Sequence, residues 1–170
     1  MSTPKLTVTS DFTKQFNDII SQFRYDEVLV GIPEATTDRK EGEDEPINNA
    51  TILAINEFGS PANNIPARPV MAIGIKNAQE DIAKEMEKAC KLALTKGLPA
   101  VTQYLERAGI IAANSVKKAI NDQDGIEHIS FATALARARR GFNGDKALIV
   151  TGQLRNSITS VVNGQARVKK

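Results

Sequence analysis

Residues 76–121 read KNAQEDIAKEMEKACKLALTKGLPAVTQYLERAGIIAANSVKKAIN, and this stretch decides the fold. From about Lys76, the side chains Ala78, Ile82, Met86, Ala89, Cys90 and Ala93 recur at steps of three and four. Glu80, Asp81, Lys84, Glu85, Glu87 and Lys88 lie between them. That spacing sets an apolar stripe along one face of a helix and charge along the other. Gly97 ends the pattern, and Pro99 fits the first turn of a second helix, where a missing N–H costs nothing. The second helix runs to about Asn121, with Val101, Leu105, Ala108, Ala112, Val116 and Ala119 on one face. So short a link between two amphipathic helices predicts an antiparallel hairpin.

Upstream, Phe12, Phe16, Ile19, Ile20 and Phe23 predict a helix over about Asp11–Phe23, with Ser10 or Asp11 as its cap. Glu27–Ile32 is a short β-branched run halted by Pro33, and reads as a strand. Residues 34–45 (EATTDRKEGEDE) set Glu34, Asp38, Glu41, Glu43, Asp44 and Glu45 against Arg39 and Lys40. Such a composition buries too little surface to fold alone, so 34–48 is expected to be a mobile acidic loop. Asn48 or Asn49 then caps a helix over Ala50–Phe58, which Gly59 ends in the left-handed conformation. Ser60–Pro66 is a turn-rich loop, and Arg68–Ile75 reads as a second strand or extended segment with Pro69 near its start.

Downstream, residues 122–146 are mixed, with a short helix around Thr133–Arg140 and a Gly-Phe-Asn-Gly turn after it. Ala147–Val150 reads as a strand, Thr151–Ser157 as a tight turn or single helical turn, and Ile158–Val162 as a further strand. Residues 163–170 are expected to form a flexible basic tail. Helices and strands are interspersed with few strand–helix–strand units, which predicts an α+β fold for one domain, 1–170. A small, mainly antiparallel sheet packs there with the long hairpin and the shorter helices.

At 170 residues the chain is the size of one domain, 41% apolar and 25% charged, as in ordinary globular proteins. With aromatics at 5% and no Trp, its core must rest on Ile, Leu, Val and Ala. A formal charge of +2 gives no strong electrostatic argument, but its distribution is uneven. From Arg137 to Lys170 there are eight bases and only Asp145 as an acid. That asymmetry suits head-to-tail contact between copies or a basic tail facing DNA, set against two merely solvated segments. No run of eighteen apolar residues occurs, and the N-terminal MSTPKLTVTSDFTKQF has no apolar signal core. The expected setting is a reducing cytoplasm, with no membrane partner.

Little chemistry is on offer. Cys90 is the single cysteine and sits on an apolar stripe, where a buried, inert thiol is expected. His128 is the single histidine, so no His cluster can hold a metal. HExxH, paired CxxC, GxGxxG and GxxxxGK[ST] are absent, and the 34–45 acids do not match a calcium loop. No catalytic residue, metal or cofactor is expected. Glu57 is better read as a cap-region carboxylate than as a general base. Arg137, Arg139 and Arg140 suit phosphate contact or, as the plainer reading, a solvated helix end.

Two segments, NNATILAINEFGSPANNIPARP at 48–69 and ALIVTGQLRNSI at 147–158, carry a resemblance. In this order they resemble the tailed-phage virion-morphogenesis family, the tail completion or minor tail protein Z-like neck proteins, over about residues 28–162. Val150 departs from the pattern, standing where an Asp is frequent. The resemblance implies a non-enzymatic virion subunit, assembled in the host cytoplasm, that completes the tail and joins it to the head connector. It implies a homo-oligomeric ring of six copies around the DNA channel. The implied partners are a head-completion or connector protein and a tail terminator or tail tube protein, with non-specific contact to genomic DNA. Within the same class stands a tail terminator ring capping the tube, and outside it a hydrolase acting on cell wall or nucleic acid.

The residues of both segments suit a structural role. Gly59 and Gly152 permit turns closed to other residues. Pro66 and Pro69 stiffen the loop that presents Ala67 and Arg68. Arg68 and Arg155 suit bidentate pairing across a joint, and with Glu57, Arg137, Arg139 and Arg140 they make the expected interface set. Phe58, Leu148, Leu154 and Ile158 are expected to pack the subunit's own sheet, with Thr151 and Ser157 completing the motif.

Overall fold

In the computed structural model, which describes residues 13–33, 47–142 and 144–164, the elements follow in a simple order. They are α1 (Thr13–Tyr25), β1 (Asp26–Gly31), α2 (Asn49–Phe58), α3 (Val70–Lys96), α4 (Leu98–Asp122), α5 (Phe131–Arg139), α6 (Gln153–Ser157) and β2 (Thr159–Gly164). A single 3-10 turn, Pro61–Asn63, lies between α2 and α3. The fold is α+β, with a two-stranded antiparallel sheet, a long helical pair and shorter helices.

The helical pair forms where the apolar spacing placed it. Gly97 alone separates α3 from α4, at φ 73°, and donates its N–H to the Ala93 carbonyl at 3.0 Å. The two helices then run back along each other so closely that a Cβ on Gly74 would lie 2.4 Å from the Cα of Val116. On its other side α4 meets the sheet. A Cβ on Gly109 would lie 2.8 Å from the Ser160 Cβ and 2.9 Å from a Val28 methyl. β1 and β2 pair in the register Val28↔Val162, Leu29↔Val161, Val30↔Ser160. Val28, Val30 and Val162 pack against the core, while Leu29 and Val161 face outward as an exposed pair.

Two aliphatic clusters form that core. One joins Leu53, Val70, Val116, Ile120, Leu154 and Ile158 at the open end of the hairpin. The other joins Ile19, Ala93, Val101 and Leu105 nearer its closed end. Only part of the predicted α1 stripe is used, since Ile19 is buried but Phe16 and Ile20 are exposed. Phe12 and the Ser10 or Asp11 cap lie outside the described residues. No helix among the described residues is long and apolar enough to cross a membrane.

Several sequence expectations are corrected. Arg68–Ile75 is not a strand, because α3 begins at Val70. The Glu57 carboxylate accepts the Met71 and Ala72 N–H groups at 2.9 and 3.0 Å, so a side chain from α2 caps the first turn of α3. Ala147–Val150 is not a strand either. The Gln123 side chain accepts the Ala147 N–H at 2.8 Å and donates to its carbonyl at 3.2 Å, taking the place of a neighbouring strand. The backbone then turns at Leu148, φ 62°, whose side chain packs against the core cluster as expected.

Gly59 has the expected positive φ, 74°, but its ψ of 173° lies outside the left-handed helical region. A Cβ there would come within 2.9 Å of the Ala67 nitrogen. Cys90 is exposed, because Ala89 and Ala93 occupy the line that faces α4. The expected acidic loop falls at 34–46 outside the described residues, while Asn48 caps α2, its Oδ1 accepting the Thr51 N–H at 2.8 Å. Of the expected basic tail, 163 and 164 complete β2, and 165–170 lie outside the described residues.

Candidate functional site

The two sequence segments 48–69 and 147–158 meet in space. Buried Asn49, at the start of α2, donates from Nδ2 to the Ser157 hydroxyl of α6 at 3.2 Å. Ser157 in turn donates to the Gln153 carbonyl at 2.9 Å. Leu53, Leu154 and Ile158 share one core cluster, which bears out the expectation that Leu154 and Ile158 are core residues. Gly152, at φ 79°, sets the start of α6, and the Thr151 hydroxyl accepts the Gln153 N–H at 3.4 Å.

Arg155 lies between the end of α4 and α6. Its Nη1 donates to Asn121 Oδ1 at 2.8 Å, while Nε and Nη2 reach Asn156 Oδ1 at 3.3 and 3.2 Å. It is half-buried, and its donors are directed at its own subunit.

Arg68 is not a rim residue. It is 8% exposed, and its Nε donates to the Glu127 carbonyl at 2.7 Å. Nη2 reaches the His128 carbonyl at 3.3 Å and Nη1 reaches Asn56 Oδ1 at 3.5 Å. The main chain is tied as well, Arg68 N–H donating to the Asn56 carbonyl at 2.6 Å. The guanidinium therefore clamps the segment after α4 onto α2, which corrects the expected pairing across a joint. The loop before it is stiffened by a bridge between Ser60 and Ile65 as well as by Pro66 and Pro69.

Phe58 does not pack the subunit's sheet. It is 81% exposed, at the end of α2 whose other side carries Leu53 inward. Glu57 has both oxygens engaged in capping α3, the cap role preferred over a general base. Capping of this kind places a negative charge at the positive end of the helix dipole.

The remaining arginines belong to α5 and its end. Ser130 caps that helix, accepting the Thr133 N–H at 3.2 Å. Arg137 donates from Nη1 to the carbonyls of Lys146 and Ile149, at 2.8 and 3.3 Å. Burial, and then the positive charge of Arg68, hold the Arg137 guanidinium below its ordinary range. Arg139 and Arg140 are exposed. The expected interface set thus splits: Glu57 and Arg68 are engaged inside the subunit, Arg137 and Arg155 brace its loops, and Arg139 and Arg140 face outward.

Among the described residues, no group of three or more His, Cys, Asp or Glu side chains can hold a metal ion. Sequence reasoning missed Gln123, whose amide replaces a strand. A polar residue just past a helix gives no local sign of a partner more than twenty residues on.

No protein-family profile matches the chain. No solved structure matches it. The chain is 43% identical over 44 residues to an uncharacterized protein of Methanocaldococcus jannaschii, covering 26% of this chain and 33% of that protein. The match therefore spans about a third of the curated relative's length.

Proposed function

We propose that the chain is a structural subunit of a tailed-phage neck, completing the tail and joining it to the head connector as a homo-oligomeric ring around the DNA channel. The observation that carries this reading is the meeting of the two segments on which the family resemblance rests. Residues 48–69 and 147–158 are far apart in sequence, yet Asn49 bonds to Ser157, and Leu53 packs with Leu154 and Ile158. A resemblance split between two segments distant in sequence gains weight when both halves build one piece of structure. The polar side chains there cap helices and hold carbonyls, as Glu57, Arg68 and Arg155 do, which suits shape more than chemistry.

The test is made in the virion. With the gene removed, full heads and finished tails should accumulate unjoined, and a tagged copy should localise to the head-proximal end of the tail. Over-long tails would instead assign the chain to tail termination. Intact particles that lack the protein would overturn the assignment to the neck.

A further inference from the structure

Alone among the described α-helices, α5 buries none of its residues. It is held from one side only, by the Ser130 cap and by Arg137 reaching the Lys146 and Ile149 carbonyls. Its other side presents Phe131, 84% exposed, and one turn on Leu135, 42% exposed, followed after a further turn by exposed Arg139 and by Arg140. A helix of nine residues with this exposure has little stability of its own in water, so an apolar and cationic stripe on it is a surface awaiting cover.

Charge decides what covers it. Between His128 and Gly144 the chain has no acidic residue, so two copies meeting through the open side of α5 would set Arg139 and Arg140 against their own equivalents. A self-complementary contact is therefore disfavoured, and the partner surface has to be acidic with an apolar group beside it. The chain carries one such stretch. In residues 34–45 acids outnumber Arg39 and Lys40, and Pro46 and Ile47 follow directly, with Ile47 41% exposed at the entry to α2.

We propose that the Phe131–Leu135–Arg139 face of α5 receives the acid-rich segment 34–46 and Ile47 of a neighbouring copy. Two different surfaces meeting head to tail generate a ring when the rotation closes. This deepens the ring reading above and rests on it for the second copy; the placement in a phage neck is tested separately, in virions.

The experiment uses the full chain and three variants, followed by sedimentation at low salt. Arg139→Glu with Arg140→Glu makes the α5 face acidic. Glu43→Lys with Asp44→Lys and Glu45→Lys makes the segment basic. Each variant alone should associate at least about tenfold more weakly than wild type, since attraction is replaced by repulsion. An equimolar mixture should associate again, because each face then meets a neighbour's segment of opposite sign. Phe131→Ser should weaken association while leaving melting at the wild-type temperature, which keeps the test available should a charge variant fold poorly. A mixture that stays dissociated shows that the segment does not reach a neighbour's helix and overturns the proposal. So does wild-type association in either charge variant, or a wild-type chain that is monomeric at millimolar concentration.

Discussion

Arg68 carries its charge into the subunit and there meets two main-chain carbonyls and an amide oxygen. Removing it would strand the Glu127 and His128 carbonyls and loosen the clamp between α2 and the segment after α4. Arg68→Ala should therefore cost the monomer about 1.5–3 kcal/mol, the scale of hydrogen bonds to a charged group. Each kcal/mol should show as a fall of about 2–4 °C in melting temperature by circular dichroism. Arg68→Lys should recover only part of that, because an ammonium cannot span three acceptors as a planar fork does. Had Arg68 paired across a joint, Arg68→Ala would melt normally and fail in assembly; its burial reverses that expectation.

A second pair of variants, one from each of the two segments, separates core from surface. Leu154→Ala should lose about 2–5 kcal/mol, whereas Phe58→Ser should leave melting unchanged, since that ring is already in solvent. Both residues read as core because both are large and apolar. Exposure, however, depends on which side of a ten-residue helix faces the hairpin, and EFG gives no sign of that.

Among the elements, α3 shows how a helix start can be written elsewhere in the chain. The run Val70–Ile75 is short and apolar, a pattern compatible with a strand or a helix, and nothing inside it decides between them. The deciding group is Glu57, fourteen residues before Met71. Glu57→Gln keeps the length but removes the negative charge and one of the two acceptors, and should lower stability by about 0.5–2 kcal/mol. Calorimetry of the purified variant checks it.

Gly74 makes the opposite point. In an open helix, Gly→Ala gains about 1 kcal/mol, but here the new methyl would drive into the main chain of Val116. Gly74→Ala should instead destabilise by about 1–3 kcal/mol, the usual scale of overpacking, and a more stable variant would show that the helices can part there. The hairpin itself was legible because its stripe of Ala and aliphatic side chains persists over many turns. The conformation of Ala147–Val150 was not: the sequence predicts a strand, and none forms, because the segment's partner is a single Gln123 amide.

At the scale of the whole molecule, the division between acidic 34–45 and the basic stretch from Arg137 onward was plain in the sequence. The use proposed for it above required knowing that α5 is uncovered. If that charge division drives association, raising salt from low to physiological strength should weaken self-association markedly, because exposed charges are screened beyond about 8 Å at physiological ionic strength. Monomer melting should hardly move over the same range, since the core clusters are aliphatic. Equal association at both ionic strengths would point to the apolar Phe131 and Leu135 alone.

The sheet has one last consequence, and it concerns time. β1 finds its partner, β2, more than a hundred residues later in the chain. At ribosomal rates of roughly 5–20 residues per second, β1 waits several seconds or more after its own synthesis. The hairpin, which lies wholly within residues 70–122, can close during that interval, whereas pairing of more distant segments is slow. For those seconds the Gly109 side of α4 stands open beside an unpaired strand, so the nascent chain passes through a stage at which a holding chaperone, or another nascent copy, can occupy the place reserved for β2.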